Sequence, residues 1–204
     1  MSDSLFYQFI YRVVWPFFSL FHPIRVIGRE NIPEGGAVIC PNHSALCDPV
    51  MACFAFTHRY QLHPMAKVEV RKVPVLGKLL EWGGVIFVDR GSADIHAIKS
   101  AMRILKEGQK LLLFPEGTRI RNGVDKYGKP AVAHTGAAML ASRTGVPLIP
   151  MYIPEEKPWF RPTTVVIGKP FMPVYEGRKP TANELEAITG QIMGGVAALK
   201  EGTV

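Results

Sequence analysis

Short apolar runs alternating with stretches of helical period constrain this chain more than any other feature. The runs are residues 37–40 (AVIC), 85–88 (VIFV), 110–114 (KLLLF), 146–153 (VPLIPMYI) and 163–167 (TTVVI). Runs this short, this apolar and rich in β-branched residues fit strands covered on both faces. Between them, Asp48-Pro49 reads as an N-cap followed by proline at the first helical position, opening a helix through about Phe56. Ile95, Ile98, Met102 and Leu105 line one face of a second helix, which Gly108 ends. Residues 131–143, with Gly145 behind them, read as a third, and Thr181 with Glu184 forms a capping box for a terminal one. Strands alternating with amphipathic helices imply an α/β layer fold with a largely parallel sheet flanked by helices. The prolines of residues 146–153 predict an edge or bent strand there. In such folds chemistry collects in loops leaving the carboxyl ends of strands.

A chain of 204 residues supports one substantial core. No repeat or low-complexity tract divides it, so the expectation is one domain, residues 23–204, behind an N-terminal segment, residues 1–22. Residues 5–21 (LFYQFIYRVVWPFFSLF) hold eight of the 20 aromatic residues, which sets that segment apart. It lacks the basic start and small-residue cleavage site of a secretory signal. Gln8, Arg12 and Pro16 interrupt it too early for a spanning helix. Phe6, Phe9, Ile10, Val13 and Phe17 recur at helical spacing. This predicts an amphipathic helix lying in one leaflet, with Tyr7, Tyr11 and Trp15 at headgroup level. The same pattern also fits a helix packed on the protein's own core.

The formal charge of +7 calls for an anionic partner: nucleic acid, an anionic membrane surface or a phosphorylated substrate. The lysines and arginines are dispersed and match no nucleic-acid motif, which disfavours the first. Cys40, Cys47 and Cys53 cluster without CxxC spacing, which argues against a disulfide framework or a zinc site. No metal-ligand pattern is legible, so the expected chemistry uses neither metal nor cofactor.

Two of the expected strand-exit loops carry reactive groups. In Asn42-His43-Ser44-Ala45-Leu46-Cys47-Asp48, a regular helix would hold His43 and Asp48 about 140° apart, so they meet only across a turn. Given that turn, the carboxylate orients one imidazole nitrogen and leaves the other to take a hydroxyl proton. On spacing alone, the pair equally fits a surface histidine beside a helix-capping aspartate. In Phe114-Pro115-Glu116-Gly117-Thr118-Arg119, Gly117 and Thr118 offer backbone N–H donors, and Arg119 suits bidentate phosphate binding. Glu116 is placed to hold that guanidinium or a substrate hydroxyl. A plain turn with a surface salt bridge fits the loop as well.

Four blocks in order then carry a resemblance across residues 24–151. They are Asn42-His43 through Asp48, residues 84–90 (GVIFVDR), residues 114–119 (FPEGTR) and residues 146–150 (VPLIP). Any one alone is only modestly specific, but in this order and at these intervals they resemble the lysophosphatidic acid acyltransferases, the PlsC-like group of glycerolipid acyltransferases. The resemblance implies His43 as general base with Asp48 as its partner. It implies Arg90, Glu116, Gly117, Thr118 and Arg119 in the glycerol-phosphate site, with Lys67 a further candidate that fits a solvated lysine equally well. The acceptor it implies is lysophosphatidic acid. The donor is acyl-CoA or acyl carrier protein, and the location is peripheral, on the cytoplasmic face of an anionic membrane. Many relatives carry a lysine where this chain has His134, two residues before Gly136, which puts headgroup preference in question. An acyl-enzyme formed on Cys47 is a competing mechanism, and a phospholipid-binding module without catalysis is a competing class.

Overall fold

The computed structural model describes residues 2–57, 60–89, 91 and 94–202, with the backbone alone for residues 2–4 and 6. Its strands are β1 (Ile24–Ile27), β2 (Ala37–Pro41), β3 (Leu62–Lys67), β4 (Ile86–Val88), β5 (Lys110–Leu112), β6 (Leu148–Tyr152) and β7 (Thr163–Ile167). Its helices are α1 (Ser2–Phe21), α2 (Asp48–Ala55), α3 (Val68–Arg71), α4 (Leu76–Trp82), α5 (Ile95–Lys106), α6 (Gly136–Thr144) and α7 (Ala182–Glu201). The seven strands form one sheet in the order β1-β7-β6-β2-β5-β3-β4. Every pairing is parallel except β6 with β7, which are antiparallel through Met151↔Ile167 and Tyr152↔Val166. The largely parallel α/β architecture read from the alternating runs is therefore present.

β2 sits at the centre, and its side chains divide two packed layers by the strand's period of two. Ala37 and Ile39 face a core with Met51, Ala52, Ala55 and Phe56 at α2, and with Leu112, Ile149 and Met151. Val38 and Cys40 face the other core with Ala101, Ile104 and Leu105 of α5, Ala137, Leu140 and Ala141 of α6, and Ile188 and Ile192 of α7. The predicted capping box of α7 is present, with Thr181 and Glu184 satisfying each other's backbone N–H groups.

Several local expectations change. β6 is an interior strand between β7 and β2, not an edge. Pro150 pairs with Cys40, and its carbonyl accepts from Gly168 N–H at 2.8 Å. A strand residue's N and C=O point the same way, so the missing N–H faces the end of β7 and leaves the β2 ladder whole. Residues 131–135 are not helical: Ala131 N–H donates to Gly123 O at 3.1 Å and His134 N–H to Pro115 O at 2.8 Å, so α6 starts at Gly136. β1 (IRVI) and β3 (LHPMAK) went unpredicted because polar residues break their apolar character. Gly28 follows β1 at φ 85°, where a β-carbon would meet Ile167 O at 2.0 Å, so only glycine lets the chain pass β7 there.

α1 packs one side on the protein's own core and leaves an apolar stripe on the other. Tyr7 is buried, and Tyr11, Trp15 and Phe18 close on Phe54 of α2 at ring-centroid distances of 5.1, 4.8 and 5.2 Å. The tyrosines and tryptophan expected at headgroup level are thus the seat of the helix on the domain. Leu5, Phe9, Val13, Phe17 and Leu20 form the outward stripe, and Phe9 and Phe17 are 61% and 69% exposed.

Candidate functional site

β2, β5 and β6 deliver three loops to the carboxyl edge at the centre of the sheet. The first begins with Asn42, whose Nδ2 donates to Ile153 O and whose Oδ1 accepts from Ile153 N–H, both at 2.8 Å. A side chain thereby imitates a backbone ladder pair and locks the end of β2 to the end of β6.

The chain then doubles back. Asp48 N–H donates to Ala45 O at 3.2 Å, while Asp48 Oδ2 accepts from Ser44 N–H at 2.6 Å and Ala45 N–H at 2.7 Å. This turn brings together the two side chains that a straight helix would separate, with His43 Nδ1 3.0 Å from Asp48 Oδ2. An ionised carboxylate only accepts, so the tautomer this contact selects for a neutral ring has its proton on Nδ1 and its lone pair on Nε2. Because Asp48 serves the turn, it does not cap α2: it is the first helical residue, behind an N-cap at Cys47 without a side-chain bond. Asp48 is fully buried. Burial by itself would raise its affinity for a proton, but hydrogen bonds from His43, Ala45 N–H and the ammonium of Lys157 outweigh it and hold the carboxyl below the usual range.

The second loop grips His43 from the other side. The Phe114 ring lies 4.2 Å from the imidazole, tilted by 31°. Glu116 Oε2 accepts from His43 N–H at 2.7 Å, and Ile120 N–H donates to His43 O at 2.7 Å, so both backbone groups of His43 are tied down. Gly117 N–H donates to Phe114 O at 3.0 Å, and Gly117 itself takes φ 64°, the left-handed conformation glycine adopts without strain. Glu116 is only 7% exposed and, among the described residues, joins no ion pair. Burial pushes its carboxyl up to about 7; the His43 N–H bond opposes this, and the charges of Asp48 and Glu155 reinforce it.

The third loop contributes Lys157, whose Nζ lies 2.9 Å from Asp48 Oδ1. Sequence reasoning missed both this lysine and the Asn42 bridge. Lys157 stands five residues beyond β6, so the rule that directs attention to strand exits was the available signal.

The remaining predicted residues are placed as follows. Thr118 is half-buried and Arg119 exposed at the lip of the second loop. Lys67 is the last residue of β3, exposed at the same edge of the sheet. Arg90 lies outside the described residues. His134 is exposed, and only its backbone meets the second loop. Burial and the neighbouring Asp48 raise the Cys47 thiol above its ordinary value, which keeps it protonated and works against its use as a nucleophile. Among the described residues, no group of three His, Cys, Asp or Glu side chains is gathered for a metal ion.

The site can therefore do base chemistry. It holds an imidazole with one nitrogen oriented by a buried carboxylate, against an aromatic wall, beside an exposed arginine.

Known proteins share this arrangement of chain. A family model described as Acyltransferase matches residues 23–154. A 1-acyl-sn-glycerol-3-phosphate acyltransferase of Bacillus subtilis (strain 168) is 29% identical over 187 residues, covering 90% of this chain and 91% of the relative. One of the same name from Borreliella burgdorferi is 33% identical over 135 residues, 63% of this chain, and this chain spans 50% of its length. The crystal structure of the 1-acyl-sn-glycerophosphate acyltransferase PlsC from Thermotoga maritima superposes with a TM-score of 0.60. It covers 97% of this chain and 95% of its own at 24% identity, a likeness of fold.

Proposed function

The chain belongs to the acyltransferase family, and from that premise we propose that it acylates the sn-2 hydroxyl of 1-acyl-sn-glycerol 3-phosphate to give phosphatidic acid. Acyl-CoA or acyl carrier protein is the donor. The observation that carries the mechanism is His43 Nδ1 at 3.0 Å from the buried Asp48 carboxylate, which leaves Nε2 to take the acceptor's proton. The acceptor oxygen attacks the thioester carbonyl as that proton leaves, and collapse of the tetrahedral species expels the thiolate. Asp48 stabilises the imidazolium that forms, and the proton passes on to the leaving sulfur. The exposed Arg119 is assigned to the acceptor's phosphate, as are Lys67 and Arg90, with Gly117 and Thr118 supplying backbone donors. The position of Glu116 beneath His43 suits a second task, holding the base's backbone while its protonated form faces the acceptor.

Residues 1–22 are assigned as the lipid-contacting segment and residues 23–204 as the acyltransferase domain. Support for a peripheral seat on the cytoplasmic face of an anionic membrane comes from the outward stripe of α1 and the net charge of +7. Among the described residues, no helix is long and apolar enough to cross a membrane.

The test is transfer of a labelled acyl chain by purified protein in lipid, with lysophosphatidic acid and other lysolipids as acceptors and both donor types. The expected result is labelled phosphatidic acid, reduced about 10²–10⁴-fold in His43→Ala with thermal unfolding unchanged. Product from a different lysolipid alone would reassign the acceptor. A folded protein with no product from any acceptor would leave a lipid-binding module, and full activity in His43→Ala would end the mechanism.

A further inference from the structure

The side chain of Lys157 is 6% exposed, and its ammonium has exchanged water for three protein oxygens. Nζ donates to Ser44 Oγ at 2.9 Å and to Pro154 O at 2.6 Å, and it forms an ion pair with Asp48 Oδ1 at 2.9 Å. Burying an ammonium costs several kcal/mol unless it is paired and hydrogen-bonded, as this one is by a buried carboxylate and two further oxygens, so the arrangement is a built one. Its backbone is built in too. Upstream, Ile153 is held by Asn42; downstream, Phe160 N–H donates to Phe21 O at 2.8 Å, with the Trp159 ring 5.0 Å from His22.

The two oxygens of Asp48 thus have separate duties. Oδ2 serves His43 and the N–H groups of Ser44 and Ala45, while Oδ1 faces Lys157. Building on the assignment of His43 and Asp48 as the reacting pair, we infer that Lys157 is a positioning residue for this reaction. It touches no substrate; it fixes the rotamer of Asp48 and, through Ser44, the turn that presents His43. It lies beyond the residues that match the family model.

A charge argument gives the inference a signature. The groups facing the pair are Cys47 on its own turn, Glu116 from the loop after β5 and Lys157 from the loop after β6, where Glu155 in turn acts on Glu116. With Lys157 present, the lysine and Asp48 cancel. Without it, a buried carboxylate beside Glu116 is uncompensated, and the pair holds a proton more tightly. The base is then occupied at pH values where the wild type is ready.

The experiment is the pH dependence of kcat/KM in wild type, Lys157→Met and Lys157→Arg, each checked by thermal unfolding. Lys157→Met should lose about tenfold or more in kcat with little change in acceptor KM, and its acid limb should move up by about one pH unit. Lys157→Arg should return the limb to its wild-type position, because the charge is restored. A folded Lys157→Met with the wild-type limb would overturn the inference, since a lysine that only braces the loop changes stability and leaves the limb in place.

If Lys157→Met does not fold, Asp48→Asn and Asp48→Asn/Lys157→Met are compared, the double variant having no unpaired buried charge. Equal activities there support action through Asp48, and a further tenfold loss rules it out. His43→Ala is run alongside. Activity surviving in it removes the assigned pair and this inference together. Activity lost in it, with an unmoved Lys157→Met limb, removes this inference alone.

Discussion

Replacing Glu116 by Gln removes a carboxyl from a buried position while keeping an oxygen that can accept His43 N–H. Folding pushes the Glu116 carboxyl from an ordinary 4.5 up to about 7, chiefly because burial disfavours the ionised form. Below about pH 4.5 the group is protonated in both folded and unfolded chains, so it costs nothing. Between about 4.5 and 7 only the unfolded chain ionises, and folded stability falls as pH rises. Above about 7 both are ionised and the full cost stands. At about 1.4 kcal/mol per pH unit, the interval sets a ceiling of about 3.5 kcal/mol. Glu116→Gln should therefore gain up to about 3.5 kcal/mol on the wild type between pH 4 and pH 8, a rise in Tm of about 7–14 °C at this chain length. Thermal unfolding of both proteins across that range measures the difference, and taking the difference cancels every group they share. A gap between the two curves that does not change with pH would refute the account of Glu116 as a carboxyl destabilised by burial.

Two further outcomes are expected. Phe54→Ala should cost about 3–5 kcal/mol and free the amino-terminal helix, because Tyr11, Trp15 and Phe18 all close on that ring; chemical denaturation and protease cleavage within residues 2–21 would register it. Cys47→Ser should keep full turnover, since its thiol is held protonated; intact-mass measurement during turnover should find no acyl adduct on the wild type.

The legible parts of the fold were those in which one residue type repeats. Ala37 to Cys40 and Thr163 to Ile167 announce themselves as strands because both faces are apolar. β3 did not, because His63, Pro64 and Lys67 interrupt it and it is recruited by pairing with β5 and β4. The interior position of β6 was hidden because a proline's effect depends on which neighbour its nitrogen faces, and that is a tertiary fact. In the site, His43, Asp48 and Glu116 stood out by motif. The Asn42 bridge to Ile153 spans 111 positions, and Lys157 reaches Asp48 from a loop without a motif. Contacts so distant in sequence are created by the order of strands in the sheet.

The seating of α1 on Phe54 has a practical consequence for anyone preparing this protein. Cutting the chain after Phe21 looks like the direct way to obtain a detergent-free enzyme. It would instead strip the cover from Phe54 and take away the carbonyl that holds Phe160 N–H. A truncated protein that precipitates would thus report a broken domain and say nothing about bilayer affinity. Polar substitutions confined to Phe9, Val13 and Phe17 separate the two questions, because those side chains point away from the seat.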